Sequence, residues 1–104
     1  MDELKHRVLR LFAECECLVT FSVEKLSNPK HYGEMSGKQI VVNSRKGHMT
    51  KMVETLIHEA IHILEPEWAH RVVYRAEQQV LAAMTMPELQ RVLFLALDNG
   101  YWRD

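Results

Sequence analysis

Thr55-Leu56-Ile57-His58-Glu59-Ala60-Ile61-His62-Ile63-Leu64 lies within a longer run, residues 50–65, in which Val53, Leu56, Ile57, Ala60 and Leu64 recur every three or four positions. That period is a helix's, and it turns one apolar stripe toward a core. Lys51, Glu54, His58, His62 and Glu65 fall on another side. Glu65-Pro66 closes the helix, because the residue before a proline is driven out of the helical region. His58-Glu59-Ala60-Ile61-His62 spells H-E-x-x-H inside a segment that is helical on independent grounds. Residues four apart share a helix face, so both imidazoles can offer a nitrogen to one ion at about 2.0–2.1 Å. Glu59 projects from the adjacent face, where it can hold a water on that ion and take its proton as the nucleophile attacks. The plainer alternative is a solvated helix face with two histidines and a surface carboxylate.

A catalytic zinc needs a third protein ligand. Glu65 and Glu67 are so close to His62 that the chain would have to reverse sharply onto the metal. His70 lies eight residues after His62, and a loop between helices can bring it back. A second helix is expected over residues 66–84, through Ala69, Val72, Val73, Ala76, Val80 and Ala83, and Glu77 falls inside its apolar stretch. A carboxylate buried there needs a partner, which a zinc ion supplies. Alternatively, Glu77 stands at the edge of the stripe beside Arg71 or Arg75. If Glu77 reaches the zinc, His70 lies two turns away along the cleft, as a substrate contact or a support.

Working outward, residues 2–16 carry Leu4, Val8, Leu11, Phe12 and Cys15 at helical spacing, with Asp2 as the cap. Residues 18–23 alternate β-branched and aromatic side chains and read as a strand. After the breaker Ser27-Asn28-Pro29, residues 31–43 read as two short strands: Met35 ends the first, Ser36-Gly37 turns the chain, and residues 38–43 form the second. A small three-stranded, mainly antiparallel sheet follows. Thr85-Met86-Pro87-Glu88 fits a capping box that opens a last helix, running to about Leu97. Asp98-Asn99-Gly100 stops it and leaves the tail Tyr101-Trp102-Arg103-Asp104. The fold class is α+β.

At 104 residues the chain has room for one domain, 1–104, with one core and one site. Hydrophobic residues at 47% and charged residues at 26% fit a globular protein. Thirteen basic against fourteen acidic residues give a net charge of −1, without the basic excess that would draw phosphates or an anionic membrane. Nucleic acid and membrane are therefore not the expected partners. The longest apolar run, residues 92–97, is too short to span a bilayer, and the charged start Met1-Asp2-Glu3 has no signal-type apolar stretch after it. A cytoplasmic protein of open oligomeric state is the expectation. Cys15 and Cys17 are expected as free thiols, because a bridge between them closes almost no loop and no second cysteine pair completes a zinc site.

The run 55–64, then Pro66, then Tyr74-Arg75-Ala76-Glu77-Gln78, resembles the gluzincin clan of zinc metallopeptidases. In that clan an active-site helix bears H-E-x-x-H and a following helix supplies a glutamate as third ligand. At this length the chain is most similar to the minigluzincins, minimal soluble scaffolds that are similar to the catalytic cores of some membrane metallopeptidases. The resemblance covers the order of elements along most of the chain and rests on His58, Glu59, His62 and Glu77. It implies a zincin-like fold, Zn2+ on His58, His62 and Glu77, Glu59 as general base, and hydrolysis of a peptide or protein substrate. The interval from His62 to Glu77 is shorter than in the large gluzincins, and the transition-state donor is left among His48, His70, Tyr74 and Tyr101.

In such folds the edge strand beside the cleft takes an extended peptide as one more strand. Gln39-Ile40-Val41-Val42-Asn43, directly before the motif helix, is the candidate strand, which puts Ile40, Val41, Val42, His70 and Tyr74 at the substrate; the alternative is an edge strand that only covers the core. Minimal scaffolds of this kind can also be latent, with their own terminal segment in the cleft, and residues 101–104 bring two aromatic rings and a carboxylate for that purpose. Two readings from other classes stand beside the peptidase: a zinc-binding regulatory or interaction module of the same fold without turnover, and a metal-free helical adaptor.

Overall fold

The computed structural model describes residues 2–102. Its elements run α1 (Asp2–Ala13), β1 (Leu18–Phe21), β2 (Gly33–Ser36), β3 (Gln39–Val42), α2 (Met49–Leu64), α3 (His70–Ala83), α4 (Met86–Asn99) and β4 (Tyr101–Trp102). The fold is α+β, with the four helices and the sheet sharing one apolar cluster that includes Val8, Phe21, Ile40, Leu56, Ile57, Ile61, Val73, Val80 and Val92.

In α1 the stripe Leu4, Val8, Leu11 and Phe12 is buried as its period demands. The helix ends at Ala13, three residues before the expected Glu16. Cys15 takes the left-handed conformation at φ +52, its N–H donates to the Phe12 carbonyl at 3.2 Å, and the Glu16 N–H donates to the Leu11 carbonyl at 2.9 Å. Those two bonds are the Schellman closure, which usually employs glycine. Cys15→Gly should therefore raise the free energy of unfolding by about 0.5–1 kcal/mol in urea titration, the relief of left-handed strain less the entropy glycine adds to the unfolded chain. Unchanged stability would mean that the closure carries no strain. The cap expected at Asp2 rests on a side chain outside the described ones.

The sheet order is β2-β3-β1-β4, and the antiparallel expectation is corrected. Only β2 and β3 pair antiparallel; β1 runs parallel to β3, Leu18 opposite Gln39 through Phe21 opposite Val42, and parallel to β4. The reason is the connection after β1. It carries the chain to a position one strand further out, and the tight turn after β2 then folds β3 back into the slot between them. The turn residues are Gly37 and Lys38, one place later than expected, with Gly37 at φ +61 as the first turn position requires for a glycine. Polar side chains fix the long connection. Glu34 accepts from the Ser27 N–H and hydroxyl, the Asn28 N–H and the His31 ring, and the buried Asn43 amide donates to the Pro29 and His31 carbonyls at 3.0 and 2.9 Å. Burial raises the Glu34 carboxyl, but these donors outweigh it and hold the group at about 2.

Helix α2 ends at Leu64, as Pro66 dictates. Arg7 of α1 secures that end: its guanidinium donates to Glu65 Oε1 at 2.8 Å and to the Leu64 carbonyl at 3.3 Å. The next helix begins at His70 and not at Pro66, because Pro66 serves as a turn residue, with the Trp68 N–H donating to the Glu65 carbonyl at 3.1 Å. The capping box is present, the Thr85 hydroxyl accepting from the Glu88 N–H and the Glu88 carboxylate from the Thr85 N–H. Helix α4 runs two residues beyond the expected Leu97. Gly100 follows in extended conformation, where a Cβ would lie 2.3 Å from the Ala96 carbonyl and 2.9 Å from the Phe21 ring. That close approach lets Tyr101 and Trp102 pair with Thr20 and Phe21. These two residues do not lie in the cleft, the secondary reading of the tail: they occupy the sheet edge opposite β2. Arg103 and Asp104 lie outside the described residues. No single described helix is long and apolar enough to cross a membrane.

Candidate metal centre

Helix α2 presents His58 and His62 one turn apart, and the first residue of α3 brings His70 across to them. The ring centres lie 4.9 Å apart for His58 and His62, 4.8 Å for His58 and His70, and 5.7 Å for His62 and His70. One nitrogen from each ring lies within 4.8 Å of the other two. Nitrogens bound tetrahedrally to one zinc are about 3.3 Å apart, so the three would draw closer to hold an ion.

Glu77 stands behind this group. Only 5% exposed, it places Oε1 at 2.8 Å from His58 Nδ1, and its Oε2 accepts from Gln78 Nε2 at 3.4 Å. A carboxylate acceptor demands the proton on Nδ1, which leaves the Nε2 lone pair of His58 for a ligand. This is the carboxylate–histidine pairing that orients metal ligands. The cluster of three possible ligands thus contains His70, one of the candidates for the third place, while Glu77, which the resemblance puts there, contacts one of its members.

Burial, and then the charges of His58 and His70, push the His62 imidazole below its usual range. The shift favours the neutral imidazole, the form that binds metal. Glu59 is 8% exposed, and burial raises its carboxyl, with His58 pulling the other way and Glu34 and Glu77 adding to the rise. Both histidines of α2, His70, Glu59, Glu77 and Tyr74 line one cleft of about 620 Å³.

Compared with family models, curated proteins and solved structures, the chain matches none. What the site can do rests on its own geometry.

The substrate strand is corrected. β3 is interior to the sheet, with Ile40 and Val42 buried in the core and Val41 paired on both sides, so Ile40, Val41 and Val42 offer no free edge. The edge beside the cleft is β2, whose Gly33, Glu34 and Met35 line it together with His31 and Tyr32. The sequence held a signal for this, since a glycine inside a strand marks a close backbone approach. A Cβ on Gly33 would lie 2.4 Å from Thr55 Cγ2 and 3.7 Å from Glu59 Oε2. Of the candidate donors, His70 and Tyr74 line the cleft, whereas His48 is the N-cap of α2 and Tyr101 lies on the far sheet edge. Glu65 is engaged by Arg7. Cys15 and Cys17 are free thiols; burial pushes Cys17 up to about 11, with Cys15 and Glu16 adding to the rise, so it remains protonated.

Proposed function

We propose that the chain is a zinc-dependent peptidase in which His58, His62 and His70 hold the ion, Glu77 orients His58, and Glu59 is the general base. The observation that carries this reading is the three-imidazole cluster in a cleft that also contains a buried carboxylate from the same H-E-x-x-H turn. Three neutral nitrogen donors with an open fourth position suit catalytic zinc. When bound, zinc supplies Lewis acidity, polarising a carbonyl and bringing a water's pKa to about 7. The protein's own groups do the rest. Glu59 accepts the proton of the attacking water at its carboxylate and returns it to the leaving amine. β2 offers its unpaired edge to the peptide main chain. Tyr74, on the open side of the cleft, is the candidate donor to the carbonyl oxygen as charge develops there.

The resemblance to gluzincins supports the same chemistry but gives Glu77 the third ligand place, and one experiment separates the two sets. Elemental mass spectrometry on dialysed protein should find about one zinc per chain. His58→Ala, His62→Ala and His70→Ala should lose it, whereas Glu77→Gln should keep a site weakened by about 10–100-fold. Loss in Glu77→Gln with retention in His70→Ala would make Glu77 the ligand. Zinc without hydrolysis of an unfolded protein would leave a regulatory module. No metal, even after zinc is offered, would overturn the reading in favour of a helical adaptor.

A further inference from the structure

Near the start of α2, where Tyr32 and Lys51 line the cleft and Lys46 stands over the same ring, are charges that this chemistry does not use. The ammonium groups of Lys46 and Lys51 each lie 4.5 Å from the centre of the Tyr32 ring, so they are at most twice that distance apart. Both side chains are half-buried. Among the described residues neither has a carboxylate within ion-pairing distance. The neighbouring carboxylates are engaged elsewhere: Glu34 with Ser27, Asn28 and His31, and Glu77 with His58. Glu54, which also lines the cleft, makes no ion pair with either lysine. An aromatic face attracts a cation by about 0.5–1 kcal/mol at an exposed site, which leaves two like charges in want of an anion.

The cluster is held from three sides. The Asn43 N–H donates to the Tyr32 carbonyl at 2.8 Å, and Lys46 donates to the Lys30 carbonyl. Gly47 stands at φ +87, and a Cβ there would meet Lys51 Cγ at 3.0 Å and Tyr32 Cε1 at 3.3 Å. The loop before α2 can cross the ring and the lysine stem this closely only because position 47 is glycine.

We propose that Lys46, Lys51 and Tyr32 form a subsite for a carboxylate of the peptide substrate, about three residues from the bond that is hydrolysed. The proposal rests on the peptidase reading, and the helix sets its register. Lys51 and His58 are seven residues apart, on nearly the same face of α2 and about 10.5 Å apart along its axis. An extended peptide covers about 3.3 Å per residue, so the third residue from the metal reaches the lysines. The carboxylate belongs either to an Asp or Glu side chain or to the terminus of a short peptide.

The test uses four-residue peptides with a hydroxamate at one end or the other and the opposite end blocked. A single Asp is moved along an otherwise Asn sequence, and binding to the zinc-loaded full chain is measured by calorimetry. Asp at the third residue should bind about tenfold more tightly than Asn there, with the gain fading as salt rises. Lys51→Met should bring the affinity ratio of the Asp to the Asn peptide down to about one, and Lys51→Arg should keep the gain. The same gain from an unblocked terminal carboxylate at that distance would assign the subsite to a substrate end, and a gain from the Asp side chain alone to an internal acidic residue. Equal affinities at every position, or a gain that survives Lys51→Met, would overturn the proposal. If no hydroxamate binds, the metal reading has failed, and the same peptides without hydroxamate are titrated against the metal-free chain. A preference for Asp that depends on Lys51 then keeps the subsite, and no preference removes it.

Discussion

Glu59→Gln should lower hydrolysis of an unfolded protein by about 10²–10⁴-fold while leaving zinc content unchanged. The amide keeps the size and burial of the side chain but cannot accept the proton of the attacking water. Loss of zinc in this variant would instead show that the carboxylate holds the metal. The same substitution should make the metal-free protein more stable near neutral pH. Burial raises the Glu59 carboxyl, so the folded chain holds that proton more tightly than the unfolded one. Stability then falls as pH rises from the ordinary carboxyl value through the raised one, and above both the ionised group carries the full cost of burial. Gln carries none of it. In the presence of a chelator the variant should melt above the parent near neutral pH, and the difference should close toward about pH 4, where both side chains are neutral. A variant that melts lower at neutral pH would mean that the ionised carboxylate has a stabilising partner.

Gly33→Ala should destabilise the protein by about 1–3 kcal/mol, the usual cost of overpacking. The added methyl would lie 2.4 Å from Thr55 Cγ2 and 3.0 Å from the Val41 carbonyl. Thr55 cannot easily rotate away, because it is buried and its hydroxyl donates to the Lys51 carbonyl at 2.8 Å. β2 must therefore lift off α2, and the wall that faces Glu59 moves with it. Thr55→Ser removes Cγ2 and keeps the hydroxyl, so the double variant should recover most of the loss in a thermal-unfolding cycle. Additive losses would place the strain at the Val41 carbonyl instead.

The helices were legible because their apolar periods are long and their end signals local: Pro66 after α2, and Thr85 with Glu88 before α4. What sequence could not supply was the pairing of elements. A strand's period tells which side is buried but not which strand lies beside it, so β1 was expected next to an antiparallel neighbour and β3 at the edge. The start of α3 was misplaced because proline suits both a first helical turn and a β-turn, and the Trp68 to Glu65 hydrogen bond decides for the turn. His58, Glu59 and His62 were legible because H-E-x-x-H encodes its geometry within one helix. The relation of His70 to Glu77 was not, because it depends on how α3 crosses α2. The lysine cluster at Tyr32 was invisible for the same reason, being assembled from three segments that meet only in the fold.

Every residue lining the cleft lies between positions 30 and 78, and this gives the order of β2, β3, α2 and α3 a kinetic meaning. The β2–β3 hairpin, α2 and α3 follow one another directly, so the cleft's walls meet across separations such as the 19 residues from His58 to Glu77, against 83 from Lys5 to Glu88, and closure entropy grows with loop length. α1, β1, α4 and β4 enclose this stretch from both ends of the chain, joined by Lys5 with Glu88 and by the pairing of β1 with β4. The contacts of greatest sequence separation, Lys5 with Glu88 and β1 with β4, therefore lie outside the cleft. A local opening of the cleft can reclose without dissolving the frame around it.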